Sequence, residues 1–250
     1  KTYGQRLAEM VDVFALEKFE ALRPVDGDMK ESLVFRKSDL ERPLTIYTCE
    51  DNERVIELER KAVAAFSSML GYMGEKSHQY PELLASQIMQ DGIENEELRD
   101  EIYLQAMCQC TNNPDMKSAK RAWQLMSLLV KVFPPTLPFL PYVEVFFYCA
   151  TTGPGKKGEK GKMSVEDEII RIAQTSLRKL DIRMKEGALD AAPSEEEIQA
   201  LRAEQPIMLK IYFTDHSFKN FQVDEDLKIE DLMNTISATL KVQLIDTYAL

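Results

Sequence analysis

The residues able to do chemistry are few, and their spacing excludes most of what they could do. Residues 151–163 (TTGPGKKGEKGKM) have the glycine and lysine content of a phosphate-cradling loop. That pattern needs Gly at position 156 and Ser or Thr at 163, where the chain has Lys156 and Met163. The run therefore reads as a linker. Cys108 and Cys110 stand two residues apart, which on a helix points their sulfurs about 200° apart. No second pair or neighbouring histidine completes a metal site. The two histidines, His78 and His216, sit before Pro81 and in a hairpin turn, neither beside a nucleophile motif. Cys49, Cys108, Cys110 and Cys149 lack the spacing of a disulfide framework and read as reduced thiols of a cytosolic protein. These residues imply no cofactor, no metal and no enzyme.

What remains is charge. Lys117, Lys120, Arg121, Lys131, Lys156, Lys157, Lys160 and Lys162 stand against Glu144 and Glu159, a net +6 within a chain of formal net charge −11. An acidic chain of this kind is not a general nucleic-acid binder. A basic island within it can still dock on an acidic surface through long-range, salt-sensitive attraction. The competing reading is a solvated helix start followed by a flexible loop.

The elements that position these residues are mostly helical. Residues 6–22 carry an approximate apolar stripe, and Arg23-Pro24-Val25-Asp26-Gly27-Asp28 breaks it. Residues 29–49 show no sustained period and read as extended, wrapping chain. Residues 51–73 place Leu58, Ala62, Ala65, Phe66, Met69 and Leu70 on one helical face, with Gly74 suited to the C-cap. Pro81 suits the first turn of the next helix, and Asn95 the N-cap of the one after. Leu98, Ile102, Ala106 and Cys110 form a stripe that ends at Asn112-Asn113-Pro114. Residues 118–132 are apolar nearly all round, the mark of a central helix, and Pro134-Pro135 stops it. An apolar run at 142–148 follows. Ser164 with Asp167, and Ser194 with Glu197, form capping boxes for a long helix ending at Gly187 and a short one at 195–203.

The period then changes. Residues 208–213 alternate, a turn follows, residues 221–224 return, and residues 224–242 read as a helix. A hairpin crossed by a helix is half of a ubiquitin-like β-grasp lobe. The fold class is therefore mainly α: a helical bundle over 1–203, then a partial β-grasp lobe over 204–250. A half lobe leaves its sheet open, and the chain has no initiator Met, so it reads as a piece of something longer. No apolar run reaches the roughly 18 residues of a membrane span.

Several of these segments resemble one family. LRDEIY at 98–103, TNNP at 111–114, RAW at 121–123 and FPP at 133–135 are similar to the signature of the myosin tail homology 4 domain. LGYMG at 70–74 also resembles it, and APSEEEIQA at 192–200 resembles the junction into a FERM module. The loop at 151–163 departs from that pattern. The resemblance implies a cytoplasmic, cytoskeleton-associated tail module of an unconventional myosin of class VII, X or XV type. Its implied partners are protein cargo or adaptors, with membranes reached only through the FERM part or receptor tails. Microtubules and the parent's own motor domain, in an autoinhibited state, are further implied partners. The same tandem in a kinesin tail is the alternative, and a hydrolase with an unrecognised site a remoter one. On the microtubule reading, Lys117, Lys120 and Arg121, with Lys156, Lys157, Lys160 and Lys162, form the patch that meets acidic tubulin tails.

Two parts of the signature carry alternatives. Arg99, Asp100 and Glu101 either compensate a helix dipole in solvent or act as buried polar ties between helices. Trp123 reads as core packing rather than ligand contact.

Overall fold

The computed structural model describes residues 19–24, 33–151, 164–203, 205, 207–223 and 229–240. The chain divides into two compact units, Lys1–Glu195 and Glu196–Leu250. In the first, α1 spans Asn52–Met73, α2 Pro81–Glu94, α3 Arg99–Cys110, α4 Met116–Val132, α5 Leu140–Thr151 and α6 Val165–Glu186. A 3₁₀ turn, Glu96–Leu98, leads into α3. In the second unit, α7 (Glu195–Arg202) precedes strands β1 (Ile207–Tyr212) and β2 (Phe218–Val223) and helix α8 (Ile229–Leu240).

Local chemistry explains most helix ends. Asp51 caps α1 by accepting from the N–H groups of Glu53 and Arg54. Gly74 ends α1 in the left-handed conformation at φ 87°, a geometry that favours glycine. Pro81 opens α2, where its missing N–H is not needed. The Ser164–Asp167 capping box opens α6, with both reciprocal hydrogen bonds formed.

Several ends differ from the sequence expectation: α5 spans Leu140–Thr151 rather than 142–148, and β2 begins at Phe218 rather than 221. Helix α4 starts at Met116, because Asp115 accepts from the N–H groups of Lys117 and Ser118. Asn95 does not cap the next helix. Its side chain donates back to the Asp91 carbonyl at 2.8 Å and closes α2 instead. The helix expected over 6–22 lies outside the described residues up to position 18. Its last residues form a turn and an antiparallel bridge between Leu22 and Thr45, with Arg23 N donating to Leu44 O and Ile46 N to Ala21 O. Pairing with a distant strand-like segment prevails there over helical pattern.

Helix α4 is central: every residue from Ala122 to Val130 is buried. It packs against α3 and α6, and α6 also packs on α5. Trp123 is buried in this core, stacked on Phe146 at 5.1 Å between centroids and tilted against Phe147. Helix α3 is buried from Glu101 to Gln109 without a break. The wrapping segment at 33–50 has no helix or strand of its own. It is pinned by Leu40, which packs with Phe66 and Leu70 of α1, with Leu44 beside them.

The second unit is a two-stranded antiparallel hairpin in the register Ile207↔Val223 to Tyr212↔Phe218, plus two helices. Phe221 is buried on one sheet face. On the other face Lys210 Nζ lies 3.8 Å from the Phe218 ring centroid, with Tyr212 beside it.

Candidate functional site

The signature segment at 98–103 becomes a hub of polar ties once the helices are in place. Arg99 Nε donates to the Gly92 carbonyl of α2 at 2.9 Å, and its guanidinium lies 5.8 Å from the Phe133 ring centroid. Asp100 accepts from Thr136 N at 2.8 Å and Thr136 Oγ1 at 2.6 Å, fastening the α4–α5 connection. Glu101, with 0% of its surface exposed, accepts from Leu44 N at 2.9 Å and from Thr45 N and Oγ1, both at 2.7 Å. Gln105 Nε2 adds a fourth donor to Glu101 at 2.7 Å and also reaches Ala62 O of α1. Tyr103 donates its hydroxyl to Phe133 O at 2.7 Å. Further along α3, Gln109 donates to Arg36 O, and Phe35 N donates to Thr111 O. Of the two readings, the buried tie holds for Glu101, while Arg99 and Asp100 are partly buried ties and Arg99 also keeps a local ion pair with Glu96 at 3.4 Å.

Glu101 is held as an acceptor by four donors, none of them cationic. Burial still pushes its carboxyl above the usual carboxylate range, outweighing those hydrogen bonds. Burial raises Asp100 in the same way against the bonds from Thr136. A carboxyl raised on folding contributes stability that is complete below its unfolded pKa and is lost as pH rises through the folded value. Asp100 and Glu101 therefore favour a rise in unfolding free energy as pH falls from 7 toward about 4, against the opposite pull of Asp39, Asp115 and Asp215, whose carboxyls are held low. Melting curves of the native chain and of Glu101→Gln across that window check this. The variant should gain less, or lose more, over that window than the native chain, and an identical slope would count against a charged, buried Glu101.

The basic island divides. Lys117 is exposed on the first turn of α4. Beside it, Asp115 is held below the usual carboxylate range by the N–H groups of Lys117 and Ser118, with the charges of Lys117 and Lys37 adding. Lys120 lies in an ion pair with Glu168 of α6 at 2.5 Å, its side chain 15% exposed. Arg121 donates Nη1 to Met73 O at 2.9 Å, closing the last turn of α1, and a Cβ at Gly74 would collide with that guanidinium. Lys156, Lys157, Lys160 and Lys162 lie outside the described residues. Sequence reading missed Lys37, an exposed cation that approaches Asp115 from the wrapping segment while pairing with Glu75 at 3.2 Å. Only its proximity in the fold relates it to Lys117.

The remaining candidates are structural. Burial pushes the Cys108 thiol up to about 12 and raises Cys110 well above its ordinary value, so neither is a ready nucleophile or ligand. His78 Nδ1 accepts from Tyr80 N, and His216 occupies the hairpin turn at φ 63°. Among the described residues no group of three or more His, Cys, Asp or Glu side chains could hold a metal ion, and no helix is long and apolar enough to cross a membrane. A cleft of about 440 Å³ runs along the wrapping segment between Arg36 and Arg42, with Asp39 and Glu41 of opposite sign on its wall.

Comparisons with known proteins agree with this architecture. The MyTH4 domain family matches residues 85–200. Myosin-VIIa of Drosophila melanogaster is 27% identical over 198 residues, which cover 78% of this chain and 8% of that protein. Unconventional myosin heavy chain 6 of Caenorhabditis elegans is 32% identical over 157 residues, covering 63% of this chain and 7% of that one. Kinesin-like protein KIN-14I of Oryza sativa subsp. japonica is 24% identical over 199 residues, covering 78% and 15%. The chain thus spans a small fraction of the length of these relatives. The human Myosin 7b C-terminal MyTH4-FERM domain, solved in complex with the harmonin-a PDZ3 domain, shares the fold with a TM-score of 0.67 at 22% identity, over 94% of this chain and 44% of that one. The Dictyostelium discoideum Myosin VII MyTH4-FERM MF1 domain aligns with a TM-score of 0.66 at 24% identity, over 94% and 46%. Residues 85–200 match the MyTH4 domain, a tail module of myosins and kinesins, and the mainly helical fold with its partial β lobe is that of MyTH4-FERM domains.

Proposed function

We propose that this chain is the cargo-binding part of a myosin tail, a non-enzymatic module that couples a cytoplasmic, cytoskeleton-associated motor to protein adaptors or receptors. The observation that carries this reading is the gradient of identity. Relatives named as myosins from Caenorhabditis elegans, Acanthamoeba castellanii and Dictyostelium discoideum reach 32%, 31% and 29%, while the kinesin-like relatives stand at 24%. A neighbour in fold was solved with a PDZ domain bound, which supports an adaptor protein as the class of partner. Determining the coding sequence upstream of Lys1 tests the parent: a myosin motor supports the reading, and a kinesin motor overturns it.

A second reading, contact with the acidic tails of tubulin through the basic island, is favoured by one specific feature. Lys117 sits exposed at the positive end of the α4 dipole, a placement that costs a helix about 0.3–1 kcal/mol. A cation kept there against the dipole is available to a partner. Lys120 and Arg121 hold internal contacts, so a triple reversal would confound binding with folding. The informative variant reverses Lys117 together with Lys156, Lys157, Lys160 and Lys162. It should keep the native melting temperature and lose most microtubule co-sedimentation at low salt, where exposed charges act furthest. Unchanged co-sedimentation sinks this reading and leaves the myosin-tail proposal standing.

A further inference from the structure

Arg99, Asp100 and Glu101 are consecutive, yet they hold segments far apart in the chain: Gly92, Thr136, and Leu44 with Thr45. Consecutive residues on an α-helix point about 100° apart. The ties therefore leave α3 in different directions, and a rotation of its first turn that lengthens one must disturb the others. The rest of the helix, buried from Glu101 to Gln109, cannot absorb the motion by itself.

One end of this set is reachable from solvent. Leu137 follows Thr136 and, at 74%, is the most exposed large apolar side chain among the described residues. Its loop is stiff: Phe139 is fully buried, and the N–H groups of Phe139 and Leu140 both donate to Thr136 O. A pull on Leu137 is thus felt at Thr136. The other end is the wrapping segment, which displays the charged side chains of Lys37, Asp39, Glu41 and Arg42.

We propose that the first turn of α3 is a coupler: a partner that draws Leu137 and Thr136 away from Asp100 loosens Leu44 and Thr45 from Glu101, and so changes the charged surface of the wrapping segment. The physical step is hydration. Asp100 deprived of both Thr136 donors is a half-buried carboxylate without them, a costly state. It is relieved when the turn rotates toward water, and Glu101, the next residue, moves with it. No covalent bond is made or broken, and the coupling runs equally in both directions, as linkage requires.

Amide hydrogen exchange on the 250-residue chain tests this. Thr136→Val, which removes the 2.6 Å hydroxyl bond to Asp100, should speed exchange at the Leu44 and Thr45 amides by at least about tenfold. Leu180→Ala in α6, whose buried side chain lies outside these ties, supplies the control for overall destabilisation, and each variant's exchange is compared after its own measured loss of unfolding free energy is allowed for. The reciprocal variant, Thr45→Val, should speed exchange at the Thr136 amide by a similar factor, and it carries the test alone if Thr136→Val fails to fold. The proposal is overturned if either variant opens the distant amide no more than Leu180→Ala does.

Discussion

Replacing Glu101 with alanine is expected to lower the unfolding free energy by about 3 kcal/mol, because buried donors left without an acceptor lose about 1–3 kcal/mol each. The stranded donors are Leu44 N, Thr45 N and Thr45 Oγ1. Gln105 Nε2 is not stranded, since it also reaches Ala62 O. Removing a desolvated charge returns part of the loss, which is why the figure stays near the low end of the sum. For a domain of this size the shift corresponds to a fall of about 10 °C in melting temperature. Urea unfolding followed by circular dichroism measures it. A change below about 1 kcal/mol, the worth of an ordinary solvent-screened contact, would mean that Glu101 is not the buried tie described above.

Gly92→Ala is expected to destabilise by about 2 kcal/mol, although alanine is the better helix former by about 1 kcal/mol. A Cβ at Gly92 would collide with Cε1 and Cζ of Phe133 and come within 3.1 Å of Cδ1. That ring is fully buried and set edge-on to Tyr103 at 5.9 Å, so it has no room to swing away. Gly71→Ala is the comparison. Its Cβ would meet the end of the Leu84 side chain, which is only half-buried and can rotate. Differential scanning calorimetry should place Gly71→Ala within about 0.5 kcal/mol of the native chain and Gly92→Ala well below it. Equal effects at the two glycines would show that the Phe133 ring is not fixed.

These two variants act on contacts that bring together segments distant in sequence, and that is where sequence reading reached its limit. The ends of α1, α2 and α6 were legible because Gly74, Pro81 and the Ser164–Asp167 pair act on their own helices. The hairpin was legible from alternation, with β1 one residue from the bounds read, while β2 begins at Phe218, three residues before the return read at 221. Asn95 misled because its side chain could cap forward or bond backward, and the backward bond to Asp91 O prevails. Residues 19–22 misled because their helical pattern competes with a pairing to residues 44–46, which no local window displays.

The candidate patch shows the same limit. Charge and spacing put Lys117, Lys120 and Arg121 together, but their environments differ. Arg121 meets the end of α1 and Lys120 meets α6, because α4 lies centrally between them. Of the three only Lys117 keeps an exposed place, and Lys37, from the wrapping segment, acts with it on Asp115. In the signature at 98–103, residue types alone left solvent-facing and buried roles open for Arg99, Asp100 and Glu101. Partners at Gly92, Thr136 and Leu44 make all three ties between segments, fully buried only at Glu101.

The signature at 98–103 is architectural, fastening irregular segments to a buried helix. Native-state hydrogen exchange at the amides of Leu44, Thr45 and Thr136 tests it most directly. None of the three lies in a helix or strand, and each donates to a carboxylate of α3. The structure predicts that they exchange as slowly as the amides of α3 itself, by way of global unfolding. Exchange at the rate of ordinary exposed loops would contradict the claim.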